Sequence, residues 1–470
     1  MKHNFYLLWL LLTAATASPA AAQHEQHQKQ KQVQDTTRQM QHMQHQQQGM
    51  QQMDHQAHMQ HTGMQHESTP MSHAFSRNLP MTRNASGTGW LPDESPMYGN
   101  MYHRGNWMLM LHYNLFLRYN RQDVFEAGNR GDSQFDAPNW LMLMGQRPVG
   151  EKGLFRFSGM ISLDPLTVGG NGYPLLFQTG ETYNDQPLID RQHPHDLFSE
   201  LSIGYTHMLS EEADVFAYLG YPGEPALSNV AFMHRPSALN NPDSPLGHHW
   251  QDATHITFGV ATLGFRYRNI KLEGSSFTGR EPDEARYGFD KPRFDSRAVR
   301  FTYNPTANWS LQASHAYVKS PEVGEPEEDV YRTTASALYG RELPGHNRFL
   351  TTTLNWGYNY VDAHHKEHSV LLESNLQNDR FAVYGRYEYI QKSAEELGFE
   401  EDEFGHDALF GVNALTVGAN RQLVELGTVN LHLGAQASVF RGSSELHAEY
   451  GELPVSAQVY LRVFPKVMVP

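Results

Sequence analysis

The sequence predicts an all-β chain, a transmembrane antiparallel β-barrel of about sixteen strands with a disordered N-terminal tail. From Trp107 almost to the C-terminus, apolar and polar residues alternate with the two-residue period of strands. The connections between these runs switch regularly between short and long, as in closed outer-membrane barrels. No stretch is apolar for long enough to cross a bilayer as a helix, so membrane insertion has to use strands.

Residues 1–22 are predicted to be a secretory signal peptide. A basic start at Lys2 precedes an apolar run over residues 5–12, and three alanines offer a cleavage site before Gln23. The chain contains no cysteine, which excludes disulfides, thiolate metal sites and a cysteine nucleophile. We therefore expect export to the bacterial outer membrane.

Residues 23–73 form a tail that we expect to be disordered. It holds seventeen Gln, nine His and seven Met with almost no large apolar residue, so it cannot bury a core. Thioether sulfur selects Cu(I), and imidazole suits Cu(II), Zn and Ni. The predicted metal ligands of the tail are His42, Met43, His45, Met50, Met53, His55, His58, Met59, His61, Met64 and His66. The alternative is a Gln-rich spacer with incidental histidines.

The predicted barrel covers residues 106–470, and residues 74–105 lead into it. On its first strand the odd-numbered residues from Trp107 to Tyr119 are apolar and should face lipid. The even-numbered face should line the lumen, where we expect Met108, Met110 and His112 to be metal ligands and Met142, Met144 and Met160 to join them from neighbouring strands. The alternative is that these methionines only fill space. The predicted strand runs are 107–120, 137–147, 153–164, 200–206, 213–220, 254–268, 270–278, 296–304, 308–318, 330–339, 348–360, 367–376, 379–391, 408–422, 428–440 and 455–464.

Two long connections carry a concentration of His and Asp. Pro194 separates two histidines and disfavours helix before it, so both imidazoles should lie on an extended segment. The neighbouring Asp190, Asp196 and Asp252 could orient the imidazoles toward a metal ion. The candidate metal ligands are His193, His195, His234, His248, His249 and His255. The alternative is a loop packed in the barrel mouth, with these groups satisfied by hydrogen bonds.

The formal net charge of −15 excludes the basic face that nucleic-acid binding needs and favours cations as partners. No HExxH motif, nucleotide-binding glycine loop or Gly-x-Ser-x-Gly elbow is present, so no catalytic residue is predicted and we expect a chain that is not an enzyme.

The stretches Met50-Gln-Gln-Met-Asp-His55 and His58-Met-Gln-His61, followed by a β-barrel, resemble the outer-membrane copper-resistance proteins of the B type. Four further stretches, at residues 191–198, 247–256, 279–284 and 304–310, resemble a group of large bacterial outer-membrane proteins. The second likeness implies the barrel and no activity.

These features favour a barrel that binds, sequesters or passes metal ions, with copper as bound cargo and no other cofactor. The expected partners are outer-membrane lipid, metal ions and periplasmic copper carriers, with the tail in the periplasm. One alternative is a porin-like channel for another small solute, and another is a barrel-embedded hydrolase that uses the loop of His193 and His195. Whether the lumen is open or plugged is left open by the sequence.

Overall fold

The computed structural model describes residues 76–322, 327–361, 365–399, 404–405 and 408–468. The predicted signal peptide and all the predicted metal ligands of the tail lie outside these residues. The strands are β1 (Asn100–Arg104), β2 (Trp107–Arg121), β3 (Ser133–Asp136), β4 (Asn139–Val149), β5 (Gly153–Ile161), β6 (Tyr173–Tyr183), β7 (Gln186–Gln192), β8 (Phe198–Met208), β9 (Ala213–Gly220), β10 (Val260–Tyr267), β11 (Ile270–Phe277), β12 (Ser296–Thr306), β13 (Trp309–Lys319), β14 (Asp329–Leu343), β15 (Arg348–Tyr360), β16 (Lys366–Gln377), β17 (Phe381–Ser393), β18 (Leu409–Leu426), β19 (Val429–Arg441) and β20 (Val455–Pro465).

The strands close into an antiparallel barrel, which confirms the predicted fold class. Eighteen of them form one sheet, and β1 and β3 are short strands paired along β2, which leaves sixteen in the cylinder. Closure comes from the first and last barrel strands, since residues 115–121 of β2 pair with residues 457–463 of β20. The hairpin β6–β7 forms a separate two-stranded sheet.

The two faces of each strand differ as lipid contact requires. On β2 the even-numbered residues from Met108 to Asn120 point inward, and Met108 and Met110 are only 3% exposed. Large apolar side chains point outward and are exposed on strands around the barrel, for example Leu117, Leu263 and Val459, which are 55–71% exposed. No helix in the described residues is long and apolar enough to cross a bilayer. The helices are short: Met81–Arg83, Asp164–Thr167, Phe232–His234, His248–Gln251, Ala253–His255, Ser444–Leu446 and His447–Tyr450.

The predicted strand 254–268 was wrong in its first residues. Its strand, β10, begins at Val260, and the preceding residues belong to a long insertion between β9 and β10. Residues 74–105 also contain more structure than a lead-in, because β1 pairs with β2.

The lumen is filled by the insertion of residues 221–259, which we call the plug. Asp243 of the plug binds Arg118 of β2 at 2.6 Å, and it accepts bonds from Gln436 of β19 and Gln458 of β20. On another side of the barrel, Ser228 donates its backbone N–H to Ser314 of β13. Because inward side chains from several sides bind one segment, the plug must lie inside the cylinder. The insertion is therefore a loop packed inside the barrel. The sequence alternative had placed this loop in the barrel mouth.

A buried ion network holds the plug in place. Glu373 of β16 accepts from Arg235 of the plug at 2.5 Å and from Arg386 of β17 at 3.0 Å. Arg235 also lies 3.3 Å from Asp252. All four groups are almost fully buried, so each charge depends on its partners for stabilisation.

Candidate metal centre

Five of the six histidines singled out in the two loops meet in one buried group, which we call the histidine cluster: His193, His195, His248, His249 and His255. Ring centroids lie 5.0 Å apart for His248 and His255, 5.6 Å for His195 and His255, and 5.9 Å for His193 and His249. Each ring is less than a tenth exposed. Spacings of this order suit imidazoles arranged around a common ion.

Local chain geometry explains the convergence. His193 and His195 follow β7 on an extended segment, as Pro194 requires. His248 and His249 lie on a single helical turn within the plug, and the next turn carries His255. The hairpin and the plug therefore contribute ligands from two separate parts of the chain.

Four rings of the histidine cluster have an Nδ1 atom at hydrogen-bonding distance from an oxygen, whereas the Nδ1 of His249 lies near Glu281 without a hydrogen bond. The contacts are His195 with Asp164 at 2.8 Å, His248 with Asp252 at 2.6 Å, His193 with Glu181 at 3.0 Å, His249 with Glu281 at 3.3 Å, and His255 with the carbonyl of Asp252 at 2.8 Å. Carboxylates and carbonyls in this position fix the tautomer and the orientation of metal-binding histidines.

The opposite ring nitrogens are left for another ligand. The Nε2 atoms of His193, His195, His249 and His255 are buried and have no hydrogen-bond partner among the described residues. Buried polar atoms in proteins are normally paired, so four orphans in one group need an explanation. An ion bound at Nε2 would satisfy them.

The three rings that the plug contributes differ in pKa. Burial lowers the pKa of His248, and it lowers that of His255 well below the usual range with help from His248 and His195. The pKa of His249 is instead raised, because the opposing effect of burial is outweighed by Glu281. Asp252 keeps its charge, because the opposing effect of burial is outweighed by His248 and Arg235, which lower its pKa. The neutral imidazole is the form that binds metal ions.

An acidic recess opens beside the cluster toward the ends of the barrel strands that carry the long loops. This cavity of about 300 Å³ is lined by Glu181, Asp185, Glu281, Asp283, Glu284 and Glu322 with Arg286. Arg286 forms ion pairs with Glu181 and, at 3.3 Å, with Asp196. The remaining carboxylates leave the recess net negative, which would concentrate cations next to His249.

In the part of the chain that the structure describes, no three His, Asp or Glu side chains stand at finished metal-binding geometry. The histidine cluster therefore has the ligand types and orienting groups of a site but not a finished coordination geometry.

The other predicted ligands lie elsewhere. His234 leaves the cluster and packs against His112 and Trp140, with ring centroids 5.9 and 4.7 Å away. Met110 lies in the same region. Met108 is apart from them, and its sulfur accepts from Gln146 at 3.8 Å.

Sequence reasoning found one of the orienting groups and missed others. Asp252, which we expected to orient a neighbouring imidazole, contacts His248. Asp190 and Asp196 instead bind Tyr450 and Arg286. Asp164 and Glu281 carried no signal, because they reach their histidines only through the folding of distant loops.

Comparisons with known proteins add little. No protein-family model and no curated protein sequence matches the chain. Among solved structures it is similar to an anion-selective porin from Comamonas acidovorans (12% identity, TM-score 0.45, covering 76% of this chain and 99% of that one). It is also similar to OmpF of Salmonella typhi (10%, 0.45, 77% and 99%) and to OmpT, an outer membrane protein of Vibrio cholerae (8%, 0.44, 78% and 100%). At these identities no activity is transferred, and a copper-resistance family is not shown.

Proposed function

We propose that this transmembrane barrel binds metal ions, copper foremost, and holds or passes them across the outer membrane. The observation that carries the proposal is the histidine cluster, in which four Nδ1 atoms lie at hydrogen-bonding distance from an oxygen and four buried Nε2 atoms have no partner. A structural core of histidines would not need this division between the two ring nitrogens. No catalytic step is part of the proposal.

The acidic recess supports a role for the cluster in taking up ions from outside the cell. Its carboxylates would attract cations, and Glu281 joins the recess to His249. In the proposed orientation the long loops face outward, and the tail, with its own imidazoles and thioethers, lies in the periplasm. The tail would then exchange ions with periplasmic copper carriers.

Copper is favoured by ligand chemistry. Imidazole binds Cu(II) more tightly than the other divalent first-row ions in the Irving–Williams order. The predicted tail adds thioethers, which contribute nothing to zinc binding but select Cu(I).

The test compares the full chain with a double variant, His248→Gln and His255→Gln, both purified in detergent. Cu(II) is added below one equivalent in the presence of a weak competing chelator, and electron paramagnetic resonance reports the bound ion. We expect the variant to lose the signal of Cu(II) bound by several imidazole nitrogens at the tightest site. Because the tail is present in both proteins, its contribution cancels.

The matched control is His315→Gln with His346→Gln, since both of these histidines are exposed on the barrel surface or a turn. The control should bind Cu(II) like the unaltered chain. Equal spectra and equal affinity for the cluster variant would refute the proposal.

The second candidate is a porin-like channel for another small solute, which the sixteen-stranded barrel favours. Conductance in planar bilayers separates the two functions. A porin would show large, steady conductance in the absence of copper, whereas a barrel closed by its plug would not.

A further inference from the structure

A second group of soft ligands lies apart from the histidine cluster. Eight methionines pack together, five of them buried and three half-buried, and they come from four parts of the chain: the lead-in, the strands β2, β4 and β5, the plug and the C-terminus. They are Met97, Met101, Met110, Met142, Met144, Met160, Met233 and Met468. Cross-strand pairing explains the core of this group, because Met110 faces Met144 and Met142 faces Met160.

These methionines leave space between them. A cavity of about 50 Å³, which we call the methionine chamber, is bounded by Met97, Met110, Met142 and Met144 with His112 and His234. Flexible thioethers normally fill irregular gaps, so a purely structural methionine cluster would be expected to close this space. The remaining volume is enough for an ion with little or no water.

One indole packs behind the two imidazoles of the chamber. The ring centroid of Trp140 lies 4.6 Å from that of His112 and 4.7 Å from that of His234. Trp140 itself is not part of the lining.

The methionine chamber is chemically unlike the histidine cluster. Its lining contains no carboxylate, whereas the cluster is surrounded by Asp and Glu. The turn of residues 232–234 separates the two, since Phe232 packs against His248 and His255 while His234 faces Trp140. In a buried site without anionic ligands, the charge of a divalent ion would be poorly compensated. A monovalent ion leaves a smaller charge uncompensated and is therefore favoured there.

We infer that the methionine chamber is a separate binding site for a soft monovalent cation, Cu(I) or Ag(I), held by the thioethers of Met110, Met142 and Met144 and an imidazole. The ion arrives already monovalent, so no electron transfer is involved. The inference rests on the proposed function in that the barrel handles metal ions, but it concerns different residues and a different oxidation state.

Ag(I) is the probe, because it is redox-inert and prefers the same ligands as Cu(I). The test variant replaces Met110, Met142 and Met144 with Leu in the full chain, which preserves side-chain volume. The control replaces Met81 and Met208, which lie outside the methionine cluster, in the same way. Bound Ag(I) is measured by mass spectrometry after gel filtration against free methionine, with heat-modified gel mobility as the check of folding.

We expect the test variant to retain about one Ag(I) fewer per chain than the control, with an unchanged Cu(II) resonance spectrum. A second variant, Trp140→Phe, keeps the aromatic ring and should remove the change in tryptophan fluorescence that Ag(I) causes in the unaltered chain. This readout decides the question even if the triple variant fails to fold.

Equal Ag(I) retention in the test and control variants, or an undiminished fluorescence response in Trp140→Phe, would refute the inference that the methionine chamber binds a soft cation. Loss of Ag(I) from the test variant, together with a Cu(II) spectrum indifferent to the histidine-cluster substitutions, would uphold the chamber and refute the histidine cluster as the copper site of the proposed function. The two failures are therefore distinguishable.

Discussion

The Nδ1 atom of His248 lies 2.6 Å from Oδ1 of Asp252, one helical turn later in the chain. The same aspartate accepts the backbone N–H of Phe232 at 2.9 Å, and its own carbonyl oxygen lies 2.8 Å from Nδ1 of His255. One residue thus orients two rings of the histidine cluster and fastens the turn that separates the cluster from the methionine chamber.

Asp252→Asn should weaken copper binding while leaving the barrel intact. Asparagine keeps the shape but can present an N–H to His248 in place of an acceptor, which disturbs both ring orientation and tautomer. Substitutions of this kind lower metal affinity by about 10- to 100-fold. Competitive Cu(II) titration of the purified chain measures the loss, and Glu212→Gln, in an exposed ion pair, is the control. Affinity equal to that of the control would contradict the role of Asp252.

The strands were predictable because lipid on one face and packed polar groups on the other enforce a two-residue period. Leu117 and Arg118 show this directly, since Leu117 is 55% exposed and Arg118 is only 1% exposed. The plug could not be predicted in this way. Its residues mix polar and apolar types without a strand or helix period, so their order does not show that the segment packs inside the barrel.

The candidate site was predictable where its residues lie close together in the sequence. His193 and His195 stood out by local spacing, as did Asp252 beside His248. Asp164 could not be found, because it lies 31 residues from His195 and meets it only after the loops fold inward. The methionine chamber was predictable in part. Strand alternation placed Met110 and His112 on the lumen face, but it could not show that His234 of the plug would join them.

Glu373→Gln should loosen the plug and open the barrel. The change leaves Arg235 and Arg386 facing a neutral amide, and removing one partner of a buried ion pair costs about 3–5 kcal/mol. We expect larger and more frequent openings in planar bilayers than the unaltered chain shows. Glu425→Gln, in an exposed pair with Lys466, is the control. Conductance indistinguishable from the control would mean that the network does not restrain the plug.

Thermal stability should fall as pH rises toward alkaline values, partly because of Glu224. Burial raises the pKa of this plug residue from 4.5 to about 8. A group with a raised folded-state pKa stabilises fully below its unfolded pKa, and that stability is lost as pH rises through the folded value. Glu224→Gln should therefore flatten the decline between about pH 5 and 8, measured by heat-modified gel mobility. Parallel curves for both proteins would exclude a contribution from Glu224.

Deleting residues 23–73 should sharply reduce the copper bound by the chain at equal expression, because this segment holds a dense series of imidazoles and thioethers. The loss should fall on the weaker sites, because the sequence predicts a disordered segment, whose ligands must be ordered by each ion they bind. The tightest Cu(II) site should survive, because the histidine cluster lies wholly within the barrel. Titration monitored by metal analysis resolves the two classes. Unchanged total copper would show that the segment is a spacer, and loss of the tightest site would place that site in the tail instead of the plug.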